Sequence, residues 1–209
     1  MRKLALYSDQ SGHYDMDARL LQMIGCAAPR IGYIASAPDT QRIYFEDRRR
    51  FYAGLDARLA VYVDELTAPT DDEWKRLLTC DAIHLSGGNT FHFHKWLLEG
   101  GLFADLRAFA DQGGVLIGVS AGAILMTPDT RAAALCGDQR SEYADDDHAL
   151  ALVNFHFWPH FTDAPQDGET AKLTAELAPL YGCRNGSGVI VEGDLIEVFG
   201  AVGVSALAQ

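Results

Sequence analysis

Residues 114–126 read GVLIGVSAGAILM. Val115–Val119 is an apolar run with the β-branched content of a strand buried on both faces. The serine that follows stands in a Gly118-Val119-Ser120-Ala121-Gly122 frame, the G-x-S-x-G form. In that form the chain turns sharply from strand to helix, and the serine hydroxyl projects above the sheet from a strained backbone. Small residues two before and two after let neighbouring backbone pass close by. The helix N-terminus behind the serine offers free N–H groups and a positive dipole end. The plainer reading is a serine that caps a helix at an ordinary β–α turn.

The remainder of the chain repeats this alternation. Further strand candidates are residues 3–8, 31–36, 59–63, 82–86, 152–157, 188–192 and 195–199. Helical spacing of apolar residues predicts helices over 16–24, 43–55, 91–98, 102–112 and 169–180. Thr70-Asp71-Asp72-Glu73 has the form of a capping box and opens a short helix through Leu78. Strands that alternate with helices predict an α/β fold: a doubly wound, mostly parallel sheet with helices on both faces. Glu192-Gly193-Asp194 is a hairpin signal, so the last two strands form a C-terminal antiparallel pair. Without a linker or internal repeat, residues 1–209 read as one α/β domain. Ligands of such sheets bind outside the carboxyl ends of the strands, the edge to which Ser120 belongs.

Bulk properties narrow the class. The 209 residues are 48% hydrophobic and 22% charged, as in ordinary globular proteins. No apolar run approaches a membrane span, and the apolar stretch near the N-terminus is too short for a signal-peptide core. A net charge of −12 argues against nucleic acid as a partner. Cys26, Cys80, Cys136 and Cys183 are scattered without a CxxC pair, which fits a reducing, cytoplasmic setting and gives no zinc or redox motif.

A serine nucleophile needs a base, and seven histidines compete for the role. His84 and His156 lie within strand candidates and read as packed residues. His92 and His94 start a helix pattern, His148 sits in the polar segment 136–148, and His13 follows the first strand. His160 follows Trp158-Pro159 at the exit of a strand, on the same sheet edge as Ser120, and the proline fixes chain direction there. An orienting acid is sought among Asp129, Asp138, Glu142, residues 145–147 and Asp163, most of them solvated loop charges by default. Ser86-Gly87-Gly88-Asn89-Thr90 ends the strand before that of Ser120, and its glycines let N–H groups approach a ligand closely. Gly88 and Ala121 are the expected oxyanion donors. His92-Phe93-His94 resembles a metal pair on a strand, but in a helix residues two apart diverge, so no metal and no cofactor is expected.

Taken together, Ser86-Gly87-Gly88-Asn89-Thr90-Phe91, Gly118-Val119-Ser120-Ala121-Gly122-Ala123, Pro159-His160-Phe161-Thr162 and Gly168-Glu169-Thr170 resemble the peptidase E (aspartyl dipeptidase) and cyanophycinase family of serine peptidases, over nearly the whole chain. The resemblance implies a fold like that of class I glutamine amidotransferases. It implies Ser120 as nucleophile, His160 as general base, and Gly88 and Ala121 as oxyanion donors. It places substrate contacts at Asn89, Thr90, Phe91 and Thr170. Its acid falls at Asp138 by spacing, with Glu142 as runner-up. One position departs from the pattern: Ala171 stands where the aspartyl dipeptidases carry an arginine that binds the substrate's carboxylate. A methyl group cannot make that contact, so strict aspartyl specificity is not expected, although Arg131, Arg140 or Arg184 could substitute.

The primary reading is therefore a serine exopeptidase acting on dipeptides or short peptides through an acyl-enzyme, with a homodimer possible. Phe91, Phe157, Trp158 and Phe161 are candidate pocket walls, and segment 136–148 a candidate lid. Two alternatives stand beside it: an esterase or other acyl hydrolase with the same nucleophile, and a non-catalytic binding protein on an amidotransferase-like scaffold.

Overall fold

A computed structural model describes residues 1–12, 14–66, 70–140, 146–163 and 167–205. Its main sheet has seven strands: β1 (Lys3–Tyr7), β2 (Arg30–Ile34), β3 (Arg58–Val63), β4 (Ala82–Leu85), β5 (Val115–Val119), β8 (Gly188–Glu192) and β9 (Leu195–Phe199), in the order β3-β2-β4-β5-β1-β8-β9. β3, β2, β4, β5 and β1 are mutually parallel, whereas β8 runs antiparallel to both β1 and β9. Gly193, at a φ of 62°, turns the β8–β9 hairpin as its sequence predicts.

The pleat of the strands divides the core. Leu4 and Leu6 of β1 face one layer, with Ile83 and Leu85 of β4 and Leu116 of β5. That layer is covered by α3 (Asp71–Leu78), α4 (Thr90–Glu99) and α5 (Phe103–Asp111) through Trp74, Leu77, Phe93, Leu97 and Leu106. Ala5 and Tyr7 face the other layer with Ile31, Ala82 and Ile117. There α1 (Tyr14–Ile24) contributes Met16, Leu20 and Met23, and Tyr52 of α2 (Ile43–Ala53) completes the packing. Period-2 alternation on strands that are buried on both sides is what a doubly covered sheet demands. The capping box is present: the Thr70 hydroxyl accepts from Glu73 N, and the Glu73 carboxylate accepts from Thr70 N.

Two regions differ from expectation. The apolar segment 152–157 is not a strand; the strand there is β6 (His156–Pro159), in a second, three-stranded sheet. Leu150 and Leu152 are buried, but their N–H groups bond to the carbonyls of Leu125 and Met126, and their own carbonyls accept from Arg107 and Arg2, respectively. Irregular backbone is thus satisfied without a ladder. The helix expected over 169–180 is α7 (Gly168–Glu176), which stops short of Pro179 because a residue before proline disfavours helical backbone. Leu180 then begins β7 (Leu180–Cys183), which pairs with β6 and with β10 (Val202–Ser205).

Candidate active site

The turn from β5 into α6 (Ala121–Ile124) has the expected form. Ser120 sits at φ 51° and ψ −110°, a strained conformation for a residue with a side chain. Its N–H bonds to the Tyr7 carbonyl of β1 at 2.9 Å, and the Gly122 N–H bonds to the Ser86 carbonyl at 3.1 Å. The flanking glycines are obligatory. A Cβ on Gly118 would lie 2.5 Å from the Gly122 carbonyl oxygen, and one on Gly122 would lie 2.2 Å from that of Leu85. α6 is a single turn of four residues, so the N-terminal dipole expected there is small, and the useful groups are individual N–H donors. Ala121, the first helical residue, has no intrahelical acceptor for its N–H. Gly88 stands nearby on the β4–α4 turn at φ 147°, where a Cβ would meet Ser36 Oγ at 2.1 Å.

His160 follows directly after β6, also with positive φ (57°), and its N–H donates to Ser8 Oγ at 2.8 Å. Its Nε2 lies 3.0 Å from Ser120 Oγ. The structure thus brings together a hydroxyl and an imidazole forty residues apart in sequence. The residue on the other ring nitrogen is not an acid: Asn185 Oδ1 lies 2.6 Å from His160 Nδ1. Sequence reasoning did not single out Asn185. Its only signal is an Asn-Gly turn between strands, a pattern that ordinarily marks a hairpin.

The candidate acids lie elsewhere. Asp138 Oδ2 accepts from Thr90 N at 2.8 Å and so caps α4 alongside Asn89, whose Oδ1 accepts from His92 N. That bond explains why an acid at this spacing does not reach the imidazole. Glu142 lies outside the described residues, as does Asp145. Asp129 pairs with His156 and Arg131, Asp147 with Arg140, and Asp163 with Arg184. A carboxylate close enough to couple with His160 is Asp9, after β1. It accepts from Gly186 N at 2.8 Å and from Ser11. Partial burial opposes its charge, but the Ser11 hydroxyl, the Gly186 and Ser11 N–H groups and the nearby His160 hold its carboxyl below the ordinary range.

A cavity of about 690 Å³ opens at the carboxyl ends of β1, β2, β4 and β5, the edge at which such sheets bind ligands. Ser120, His160, Gly87, Gly88 and Asn89 line it. Of the other expected substrate contacts, Thr90 and Phe91 are buried in the core, and Thr170 bonds within the first turn of α7; none lines the cavity. Phe157 and Trp158 are likewise core residues, and Phe161 packs on Trp158. Arg131, Arg140 and Arg184 are each committed to a carboxylate, and none lines the cavity. Among the described residues Arg48 of α2 is the one arginine or lysine that does, and it makes no ion pair with a described carboxylate.

Arg48 heads a polar chain. Its Nη1 donates to Gln10 Oε1 at 2.9 Å, and Gln10 Nε2 donates to the Tyr52 hydroxyl at 3.2 Å. That hydroxyl in turn shares a hydrogen bond with His84 Nδ1 at 2.8 Å. Burial, with the Arg48 charge close by, pushes the His84 imidazole down to about 3, so it is a neutral wall of the cavity. Three other histidines have side-chain partners of their own. His92 pairs with Glu65, His94 bonds to the His148 carbonyl, and His156 bonds to the Leu177 carbonyl and Asp129; His13 lies outside the described residues. Among the described residues no cluster of three metal-binding side chains occurs, and His92 and His94 point to different partners. No helix among them is long and apolar enough to cross a membrane.

The chain is similar to several known proteins. An uncharacterized peptidase of Pasteurella multocida is 27% identical over 201 residues, covering 93% of this chain and 95% of that protein. A protein of Drosophila melanogaster named probable alpha-aspartyl dipeptidase is 32% identical over 140 residues, and peptidase E of Shewanella amazonensis is 27% identical over 139; each match covers 62% of this chain. The chain spans only 57% and 58% of those two proteins, respectively. In structure, it superposes on a Listeria monocytogenes protein assigned to peptidase E with a TM-score of 0.77 at 22% identity, covering 95% of this chain and 98% of that one. A peptidase from an acI-B1 actinobacterium gives a TM-score of 0.70 at 16% identity, covering 100% and 96%. These likenesses establish the fold. The model of peptidase family S51 matches residues 5–199, and the chain belongs to that family.

Proposed function

We propose that the chain is a serine exopeptidase that hydrolyses dipeptides or other short peptides. The observation that carries this reading is the 3.0 Å approach of His160 Nε2 to Ser120 Oγ on a strained turn that opens into a cavity. Ser120 Oγ attacks the scissile carbonyl carbon while its proton passes to His160 Nε2, and the carbonyl electron pair moves onto the oxygen. Ala121 N–H and Gly88 N–H receive that oxyanion; one such donor contributes on the order of 3 kcal/mol in the transition state. The intermediate collapses, the C–N bond breaks, and the Nε2 proton goes to the leaving amine. Water then repeats the cycle on the acyl-enzyme.

Ala171 leaves the pocket without the arginine of the aspartyl dipeptidases, so specificity is not restricted to aspartate. Arg48 supports a broader reading. A cation without a described carboxylate partner, facing the nucleophile's cavity, accepts an acidic side chain without requiring one. The test has two parts. A fluorophosphonate labels Ser120 in the wild type and not in Ser120→Ala; absence of labelling favours a binding protein. A dipeptide and short-peptide library read by mass spectrometry then shows cleavage; hydrolysis of p-nitrophenyl esters alone means an esterase.

A further inference from the structure

We infer that Asn185 is the positioning residue for His160, a neutral amide in the place where a serine–histidine pair ordinarily carries a carboxylate. This rests on His160 being the base in the reading above. An amide oxygen accepts a hydrogen bond and cannot be protonated at working pH. Asn185 Oδ1, 2.6 Å from Nδ1, therefore holds the ring in the tautomer with its proton on Nδ1. The Nε2 lone pair is left facing Ser120 Oγ, the arrangement that a general base needs. Through the cycle the Nδ1 proton stays on nitrogen, and only the proton on Nε2 moves.

His160 and Asn185 are both solvent-exposed, so water competes for this bond unless the amide is fixed. The backbone around it supplies that rigidity. Ser187 N bonds to the Arg184 carbonyl, closing the turn around Asn185. Gly186 N is held by Asp9, Arg184 N by the Ala201 carbonyl, and the Ser187 carbonyl by Ser8 N. Ser187 itself is buried and its hydroxyl accepts from Ala201 N. A turn pinned to β1 on one side and to the β9–β10 link on the other presents one side-chain amide to one imidazole. Asp9 supplies the nearby negative charge, displaced from the ring by the width of that turn.

The consequence is distinctive. A contact carboxylate favours the imidazolium, whereas an amide orients the ring without stabilising its charge. Three full-length chains separate the possibilities: wild type, Asn185→Ala and Asn185→Asp, each labelled with ¹⁵N-histidine. The His160 signals are assigned by their loss in His160→Gln. In the wild type the neutral ring carries its proton on Nδ1, and in Asn185→Ala this preference disappears. With a cleaved peptide as substrate, Asn185→Ala loses about tenfold or more in kcat with little change in KM. Asn185→Asp retains activity and moves the acid limb of kcat/KM upward by about one pH unit. Unchanged His160 tautomer and kcat in Asn185→Ala overturn the inference, as does an unmoved acid limb in an active Asn185→Asp. If the wild type cleaves no peptide but the tautomer still depends on Asn185, the peptidase reading fails and the positioning role stands.

Discussion

Ser120 is held in a conformation that costs on the order of 1–3 kcal/mol, and its neighbours show what maintains it. Gly122 passes so near the Leu85 carbonyl that a methyl group there requires the β4 or α6 backbone to move. Gly122→Ala is therefore expected to lower the free energy of urea unfolding by about 2 kcal/mol and to abolish fluorophosphonate labelling; unaltered labelling contradicts the tight turn. At the far wall of the cavity, Arg48→Met removes charge while keeping an apolar stem. It is expected to raise KM about tenfold or more for peptides with an acidic residue, with less than a twofold change for neutral ones. Equal effects on both classes mean that Arg48 acts on shape alone. The meeting of Ser120 with His160 was legible in sequence because each sits in a short frame that turn geometry restricts. Asn185 was not, since an asparagine before glycine is a turn residue by default. Asp138 had the right spacing, but spacing along the chain does not show that a helix N-terminus competes for its carboxylate.

Among the elements, β6 has the heaviest duty, since its last residue leads directly into His160. Its first residue, His156, is buried, and both its ring nitrogens face acceptors, the Leu177 carbonyl at 2.7 Å and Asp129 Oδ2 at 3.2 Å. Burial works against the Asp129 charge, yet His156 and the Arg131 side chain and N–H outweigh it and hold this carboxyl far below the ordinary range. A folded-state pKa below the unfolded value of about 3.9 gives stability that is complete above that pH and is lost as pH falls below it. Asp129→Asn is expected to cost on the order of 2 kcal/mol at pH 7 and to flatten the fall in stability between about pH 4 and pH 2. Chemical unfolding across that range measures both; an equally steep fall in the variant places the acid sensitivity elsewhere. The element boundaries legible beforehand were those with local markers, such as the Thr70–Glu73 box and the Gly193 turn. β7 and β10 were missed because their four-residue LYGC and VGVS runs carry no period long enough to read.

At the scale of the molecule, the alternation of strands and helices made the parallel sheet legible and placed Ser120 at its carboxyl edge. The second sheet was not legible, because its three strands are only four residues long and pair across separate stretches of chain. The dyad nevertheless joins the two: Ser120 directly follows β5 of the main sheet and His160 directly follows β6 of the smaller one. Their 3.0 Å approach therefore reports how the smaller sheet docks. Ser8, fully buried after β1, is the fastener, since its hydroxyl accepts the His160 N–H at 2.8 Å and its own N–H donates to the Ser187 carbonyl next to the Asn185 turn. Ser8→Ala removes the first bond and leaves a backbone N–H without its partner, at a cost of about 1–3 kcal/mol. If docking through Ser8 sets the dyad, kcat falls about tenfold beyond any loss of folded protein, since a misplacement near 1 Å is enough for that. Activity measured in water, far from the unfolding transition, separates the two effects. Lost stability with full kcat per folded molecule would show that the second sheet finds its place without this bond, and that β6 and its pairing with β7 alone aim the imidazole at the serine.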